Sequence, residues 1–498
     1  MSPASDLLAN LLAQTDFHPG LPQQRRLYEA AKAAIHQHQL GAGNKLPSSR
    51  DLARDLSVAR NTVIAAFEQL AAEGYVTSTL GSGTYVADIQ TLTPVGTKTI
   101  ARAAASSAID APPLSKRGMQ ITEFAAGPRF EIQPFVPGDA DFSSFPFKLW
   151  QRLQNRVWRD ARPDLLDYGQ AGGYLPLRQA IAEYLRISRS VKVSVEQIMI
   201  TSGTQQSLDL CAQLLADVGD TAWVEDPCYW GARRVFEACD LKLHPITVDA
   251  DGMALEAADL ATNPKLIYVT PSHQYPTGAV MSLARRRELL DVAVRKNAWI
   301  LEDDYDSEFR YTGRPLAALQ GLDTGDRVVY MGTFSKVLYP GIKVGYMVVP
   351  PALSESFKIA LYDLQRPGQL MVQAALADFI SLGHFTTHIR KIRQIYGSRR
   401  ELLRKTLVSQ FGPQLSQRVT ISSEESGLHL VVELPDHVDD VALEKLATES
   451  GMAVKALSTY YLAPPVRRGL LVGYAYVTPD KIAYYGKLLA TVIQSGVR

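Results

Sequence analysis

Cysteine is scarce. The 498 residues hold three, Cys211, Cys228 and Cys239, with no CxxC pair. That argues against a disulfide scaffold or a thiolate metal site and fits a reducing compartment. No apolar run approaches the ~20 residues that a membrane helix needs. The first residues, MSPASDLLANLLAQTDF, lack a basic stretch followed by an apolar core and a small-residue cleavage site, so no signal peptide is expected. A cytoplasmic protein without a membrane partner is the expectation. No charge sign dominates either: 52 Lys+Arg face 51 Asp+Glu, for a formal net charge of +1. Contact with nucleic acid therefore has to come from a local patch. With 46% apolar and 21% charged residues the composition is globular, and the length implies roughly two to four domains.

Three textures divide the chain. Residues 1–87 alternate helical patterns with one Gly-rich turn. Residues 88–131, with TLTPVGTKTIARAAASSAIDAPPLSKRG, show no sustained apolar period and predict a linker with little fixed structure. From 132 to 498, short apolar runs alternate with amphipathic helices. IMIT, TAWVED, LIYVT, AWILEDD, RVVYMG and VGYMVV are the strand candidates, which predicts an α/β domain with a mostly parallel sheet. VTISS, GLHLVVEL, MAVKAL and GLLVGYAYV are more alternating and predict a smaller α+β subdomain over about 371–498.

The first texture has a recognisable order. Arg25–His38 is periodic, with Leu27, Ala31, Ala34 and Ile35 on one face. Ser49 can cap a short helix over Arg50–Leu56. A tight turn, SVA, leads to a helix from about Arg60 to Ala72 with Val63, Ala66, Phe67 and Leu70 inward, ended by Gly74. YVTSTLGSGTYVA predicts a hairpin. Helix, helix, turn, helix, hairpin is a winged helix-turn-helix. The start of its last helix carries Arg60 and Asn61, side chains that grip base edges, and Thr62, suited to phosphate. The segment resembles the GntR-type winged helix through LPSSRDLA, RNTV, F-x-x-L-x-x-E-G-Y-V and GSGTYV. The resemblance implies that Arg50, Arg60, Asn61, Thr62 and Gly83 lie against an operator in double-stranded DNA. Where that family usually has a Ser before the arginine, this chain has Ala59, which removes a helix cap. Residues 1–90 carry seven Lys/Arg and eight Asp/Glu. That balance predicts modest affinity per domain and a need for two.

In the last texture, chemistry-bearing residues follow strand candidates. SGTQQSLDL (202–210) opens a helix, so Ser202, Gly203 and Thr204 can present N–H groups to a phosphate. EDPCYW (225–230), TPSHQYPTG (270–278) and LEDDYDSEF (301–309) place aromatics and carboxylates at other strand ends, where ligands of α/β sheets collect. Lys336 lies in GTFSKVLYPGIKVGY. A phosphate cradle, a carboxylate, a flat ring and a lysine suit pyridoxal 5′-phosphate. Its aldehyde needs an amine, its pyridinium an anion and its ring an apolar face.

These stretches, with FVPGDADFSSFPFKLWQRL and GYLPLRQAIAEYLR, make the segment resemble a fold-type-I aminotransferase domain. Joined to the winged helix, the chain resembles the MocR/GabR family of bacterial transcription regulators. The implied fold is multi-domain: a mainly α winged helix-turn-helix plus an α/β pyridoxal-phosphate-dependent transferase of fold type I. By that resemblance Lys336 would hold the cofactor aldehyde as a Schiff base and Asp303 would pair with the pyridinium nitrogen. Tyr305 would meet the phenolic oxygen and Tyr229 would stack on the ring. Gly203, Thr204, Thr333 and Ser335 would surround the phosphate. Two positions depart. Lys343 stands where the family usually has the arginine that pairs with the phosphate, keeping the charge without the bidentate fork. Leu471 takes the place of the arginine that grips a substrate carboxylate; Arg467 and Arg468 are close in sequence only.

The function implied is a homodimeric regulator whose large domain senses pyridoxal phosphate, an amine or an amino acid. An active aminotransferase that also binds DNA is the alternative, and a cofactor-free scaffold a third. HIRKIRQIYGSRR (388–400) predicts a basic, salt-bridged surface helix, with DNA contact as the other reading.

Overall fold

The computed structural model describes residues 2–14, 21–79, 82–88, 114–122, 133–160, 162–313, 316–366, 368–422 and 426–497. The chain divides into two compact units, Met1–Pro112 and Pro113–Arg498. Most of the expected linker lies outside the described residues. Its described part includes a helix, Lys116–Thr122, which packs on the helix Trp230–Ala238 of the second unit.

The first unit holds α1 (Pro3–Gln14), α2 (Gln23–His36), α3 (Ser49–Asp55), α4 (Arg60–Ala72) and a hairpin of β1 (Val76–Thr79) with β2 (Gly83–Val86). The inward faces predicted for α2 and α4 are buried, and they share one core with Leu8 of α1, Leu46, Leu52, Val76 and Val86. Tyr28 of α2 is buried and donates to Glu73 at the end of α4 (2.5 Å), pinning the two helices together. The sequence reading missed α1. It also misplaced one cap: Ser48, not Ser49, precedes α3 and accepts from the Asp51 N–H at 3.2 Å. Of two adjacent serines, the one in extended backbone caps; Ser49 is already helical.

The second unit is built on an eight-stranded sheet. Its strands are β3 (Ile198–Thr201), β4 (Thr221–Asp226), β5 (Lys242–Asp249), β6 (Gly252–Met253), β7 (Pro264–Val269), β8 (Trp299–Asp304), β9 (Val328–Thr333) and β10 (Gly345–Val348), in the order β3-β10-β9-β8-β7-β4-β5-β6. β4, β5, β7, β8 and β9 run parallel; β10 is antiparallel to both its neighbours. Both faces are covered, so the strands read as continuous apolar runs. Leu301, Val329 and Met331 pack against the helix Thr204–Leu215 on one face. Ile300, Val328 and Ile267 pack under the helix Leu283–Lys296 on the other.

A four-stranded antiparallel sheet follows: β11 (Thr420–Ile421), β12 (His429–Leu434), β13 (Lys455–Ala456) and β14 (Arg468–Gly473), ordered β11-β12-β14-β13. Leu430, Val432, Leu470 and Val472 face a core shared with the long helix His384–Leu415 and the helix Pro479–Val497. The basic segment 388–400 lies in that long helix and is not a simple solvated face. Arg399 is buried and ion-paired to Asp141 at 2.9 Å, His388 is buried against the Val337 carbonyl, and Arg393 donates to the Glu308 carbonyl.

Ala59 has the extended backbone of a helix cap (φ −64°, ψ 140°) but no side chain to accept a bond. Ala59→Ser is expected to stabilise the N-terminal unit by about 1 kcal/mol. Thermal unfolding of residues 1–88 checks this; an unchanged midpoint would show that the first turn of α4 is satisfied by other means.

Candidate functional site

The parallel strands point their C-terminal ends the same way, and the predicted residues collect there. β8 ends in Glu302-Asp303-Asp304, all buried, because their neighbours on both sides are also strands. Asp303 is 4% exposed. One carboxylate oxygen accepts from the Tyr268 hydroxyl of β7 at 3.0 Å; the other is buried with no hydrogen-bond partner. Burial pushes the Asp303 carboxyl up to about 7, against the pull of the Tyr268 hydrogen bond and of the Lys336 charge. A bare, shielded carboxylate oxygen is what a pyridinium N–H needs.

Lys336 follows β9 by three residues. Its Nζ donates to the Gly138 carbonyl at 2.9 Å. The backbone three residues earlier is tied to the small sheet. The Gly473 N–H at the end of β14 donates to the Phe135 carbonyl at 2.9 Å, and a Cβ at Gly473 would fall 1.9 Å from the Val136 oxygen.

The residues expected to cradle a phosphate lie at the sheet's outer corner. Thr201 of β3, Gly345 of β10 and Thr333 of β9 lie side by side in register. A Cβ on Gly345 would meet the Gly203 Cα at 2.7 Å, so only glycine lets the Ser202-Gly203-Thr204 turn settle on β10. Gly203 has φ +129° and precedes the helix Thr204–Leu215; a Cβ at Gly203 would meet nothing within 4 Å, the Ser202 N–H donates to the Gln206 side chain and the Gly203 N–H to the Thr201 hydroxyl at 3.4 Å. Thr333 accepts from the Ser335 N–H at 3.2 Å, which shapes the second rim of the corner. Lys343 is exposed in a left-handed backbone (φ 50°, ψ 47°) two residues before β10. Donors, cation and turn geometry fit a phosphate.

Tyr229 starts the helix after β4. Its hydroxyl accepts from Gln205 at 3.2 Å, and its ring lies edge-on to Tyr275 at 5.6 Å. Tyr305 donates to the His273 carbonyl at 3.1 Å, and its ring lies edge-on to Tyr275 at 5.8 Å. The structure thus gathers Tyr229, Asp303, Tyr305 and Lys336 around strand ends, with Gly203, Thr204, Thr333 and Ser335 at the corner beside them. Sequence reading missed Tyr268, Gly138, Tyr275, His273 and His429. Tyr268 and Tyr275 lie in stretches already singled out, LIYVT and TPSHQYPTG; the contacts that use them are long-range.

Leu471 is fully buried in β14 among Val431, Leu457, Tyr460 and Tyr461, with Tyr275 packed against them. Arg467 pairs with Glu433 and Arg468 with Asp440. Neither arginine is spare for a carboxylate.

In the first unit, Arg50, Arg60 and Asn61 are exposed at the starts of α3 and α4, and Arg60 Nε donates to Ser49 at 3.4 Å, holding those starts together. Thr62 is half-buried. Gly83 (φ +123°) lies over Lys45: a Cβ there would sit 2.7 Å from Lys45 Cε, and Lys45 Nζ stands 5.6 Å from the Tyr85 ring.

Residues 23–86 match the bacterial regulatory proteins of the gntR family, and residues 138–485 match aminotransferase class I and II. The chain is 41% identical over 463 residues to the probable rhizopine catabolism regulatory protein MocR of Rhizobium meliloti, spanning 92% of this chain and 91% of that one. It is 30% identical to the HTH-type pyridoxine biosynthesis transcriptional regulator PdxR of Corynebacterium glutamicum, over 96% and 97% of the two chains. A Pyrococcus horikoshii kynurenine aminotransferase structure superposes with a TM-score of 0.67 at 27% identity, over 80% of this chain and 99% of that one. The second unit is a fold-type-I aminotransferase domain with a pyridoxal 5′-phosphate site. The chain belongs to the MocR/GabR type of bacterial transcription regulators, a GntR winged helix joined to an aminotransferase class I and II domain.

Proposed function

We propose that this regulator uses its aminotransferase-like unit to sense rather than to turn over substrate. The effector is pyridoxal phosphate itself or a small amine or amino acid that takes the cofactor from Lys336. The observation that carries this reading is the contrast within one site. Lys336 is held by the Gly138 carbonyl and Asp303 keeps a bare buried oxygen, while the position expected to grip a carboxylate is Leu471 in an apolar wall.

When bound, the cofactor supplies an aldehyde that an amine can capture and a ring that withdraws electrons. The chain's residues do the rest. Asp303 would hold the proton at the ring nitrogen. The corner of Ser202, Gly203, Thr204, Thr333 and Ser335, with Lys343, would hold the phosphate. Tyr229 would supply an apolar ring face and Tyr305 a polar group toward the phenolic oxygen. Lys336 would offer the amine that an effector displaces. Signalling requires that the effector bind one conformation of the chain better than another; that differential affinity is the whole driving force on the winged helix. Arg50, Arg60, Asn61, Thr62 and Gly83 contact the operator in this reading.

The working unit in this reading is a cytoplasmic homodimer with two winged helices on paired half-sites. Exposed Trp158, Leu166 and Tyr168, close together in sequence on the second unit, support self-association.

The test is near-visible absorbance of purified protein with added pyridoxal phosphate. A yellow band is expected, and Lys336→Ala should abolish it. Absence of the band in the native protein would sink the reading.

A second expectation concerns pH. Burial raises the Asp303, Glu225, Glu302 and Glu308 carboxyls to about 7 in the folded chain, against about 4 when unfolded. The folded state holds these protons between the two values, so their contribution is full below about pH 4 and is lost as pH rises through 7. The melting temperature of the cofactor-free protein should therefore fall between pH 5 and 8. Asp303→Asn should shrink the fall, and so should added pyridoxal phosphate, which brings a cation to Asp303. An Asn variant with the native slope would contradict the assignment.

A further inference from the structure

The small sheet presents one face to the site. On β12 that face carries His429, Val431 and Glu433, and on β14 the residues paired with them, Gly473, Leu471 and Gly469. Glu433 is taken by Arg467. Val431 and Leu471 join Leu457, Tyr460 and Tyr461 in the apolar wall against Tyr275. On β12, that leaves His429 as the polar side chain of this face without an ionic partner.

His429 is 4% exposed and belongs to the aromatic shell of the cofactor site. Its ring lies 5.5 Å from Tyr275, edge-on, and 5.7 Å from His273. Tyr275 in turn is edge-on to Tyr229, Tyr305 and Tyr460. The charge on Lys336 is close enough to act on the His429 ring.

The tautomer follows from the contacts. Nε2 is 2.9 Å from the Pro276 carbonyl. A carbonyl only accepts, so Nε2 carries the proton. Burial, then the neighbouring His273, drive the ring's pKa down to about 3, so it stays neutral. Nδ1 is then a lone pair with no hydrogen, and it is buried with no hydrogen-bond partner. Buried acceptors are almost always satisfied, so this one asks for a donor. Glu225, Asp303 and Asp306 are the other acids of the neighbourhood: Asp303 is turned to Tyr268, Glu225 to Thr270 and Asp306 to His273.

We propose that His429 determines effector specificity by accepting a hydrogen bond from a hydroxyl group, and that the effector is a primary amine of the amino-alcohol class rather than an α-amino acid. This rests on the sensor reading above. A carboxylate meets a lone pair and an apolar wall and is rejected twice. A hydroxyl satisfies Nδ1 while its carbon chain packs on the partly exposed Tyr275. The exchange balances without an oxidant. The effector nitrogen forms the double bond to the cofactor's aldehyde carbon, the bond from that carbon to Lys336 Nζ breaks, and the two protons lost by the effector nitrogen end on Nζ.

The experiment uses full-length protein loaded with pyridoxal phosphate and reads the shift of its near-visible band on titration with three amines. Ethanolamine carries the hydroxyl, propylamine replaces it with a methyl group, and glycine carries a carboxylate. The two neutral-tailed amines differ in basicity, so the readout is their affinity ratio compared between native protein and His429→Phe. A site built for a hydroxyl should favour ethanolamine about tenfold or more over that reference. His429→Gln, whose amide oxygen can accept, should recover part of the preference. Equal ratios in native and Phe proteins, a preference for glycine, or a loaded band that no amine shifts would each overturn the proposal. If His429→Phe does not fold, the Gln protein decides: its ratio must fall between unity and the native value. No band at all in native protein would instead fail the sensor reading beneath it.

Discussion

A carboxylate shut away from water, with one oxygen bonded and the other bare, is the constraint on which the site is organised. Asp303 can be charged only if something positive stands beside it, because burial otherwise holds its proton to about pH 7. The sheet enforces that burial. β8 is central, flanked by β7 and β9, and Tyr268 of β7 satisfies just one oxygen. Every other part of the site is placed relative to this strand: Tyr229 one strand beyond β7, Lys336 at the end of β9, the phosphate corner one strand further at β10 and β3. A fold that leaves a buried oxygen unsatisfied carries a cost in the empty state and recovers it when a cation arrives. Affinity for a pyridinium is thus stored in the scaffold.

The second constraint is close backbone contact. Gly345 lets the Gly203 turn touch β10, and Gly473 lets β14 touch the Val136 carbonyl. The latter contact bears on the reactive lysine. Gly473 is bound to Phe135, and Gly138, three residues on, supplies the carbonyl that holds Lys336. The small sheet and the reactive lysine are linked through one short stretch of backbone. His429 faces Gly473 across the same sheet, so the aromatic shell and the lysine are positioned by neighbouring points of one rigid element.

What the sequence disclosed follows from the range of each interaction. Strand ends were legible because parallel, doubly covered strands are apolar runs that stop abruptly at polar residues. TAWVED and IMIT mark β4 and β3 to the residue. The cores of α2 and α4 were legible from period alone. Local competition was harder: Ser48 and Ser49 are equally good caps on paper, and the backbone decides between them. Long-range pairs were invisible. Arg399 looks solvated until Asp141, far earlier in the chain, is placed beside it. His429 sits in an alternating strand exactly as a core residue would, and only the unmatched Nδ1 distinguishes it. The N-terminal Leu8 was set among leucines read only for targeting, yet it is fully buried against α2 and α3.

The winged helix carries its own limit. Arg54 is paired to Asp51 at 2.7 Å and Arg25 to Glu29 at 2.7 Å, so part of an already balanced charge is spent internally. Arg50 and Arg60 are left exposed at the helix starts, with Lys45 at the wing. Each phosphate neutralised contributes a slope of about −0.9 to the dependence of log affinity on log salt. A unit with so few available cations is expected to bind weakly alone. Weak single units suit a switch. If affinity comes from two winged helices acting together, a small change in how the large units hold them changes occupancy steeply, because the second contact is lost with its effective concentration rather than by breaking any bond to DNA. The coupling an effector must supply is then modest, within reach of one satisfied hydrogen bond and one displaced lysine.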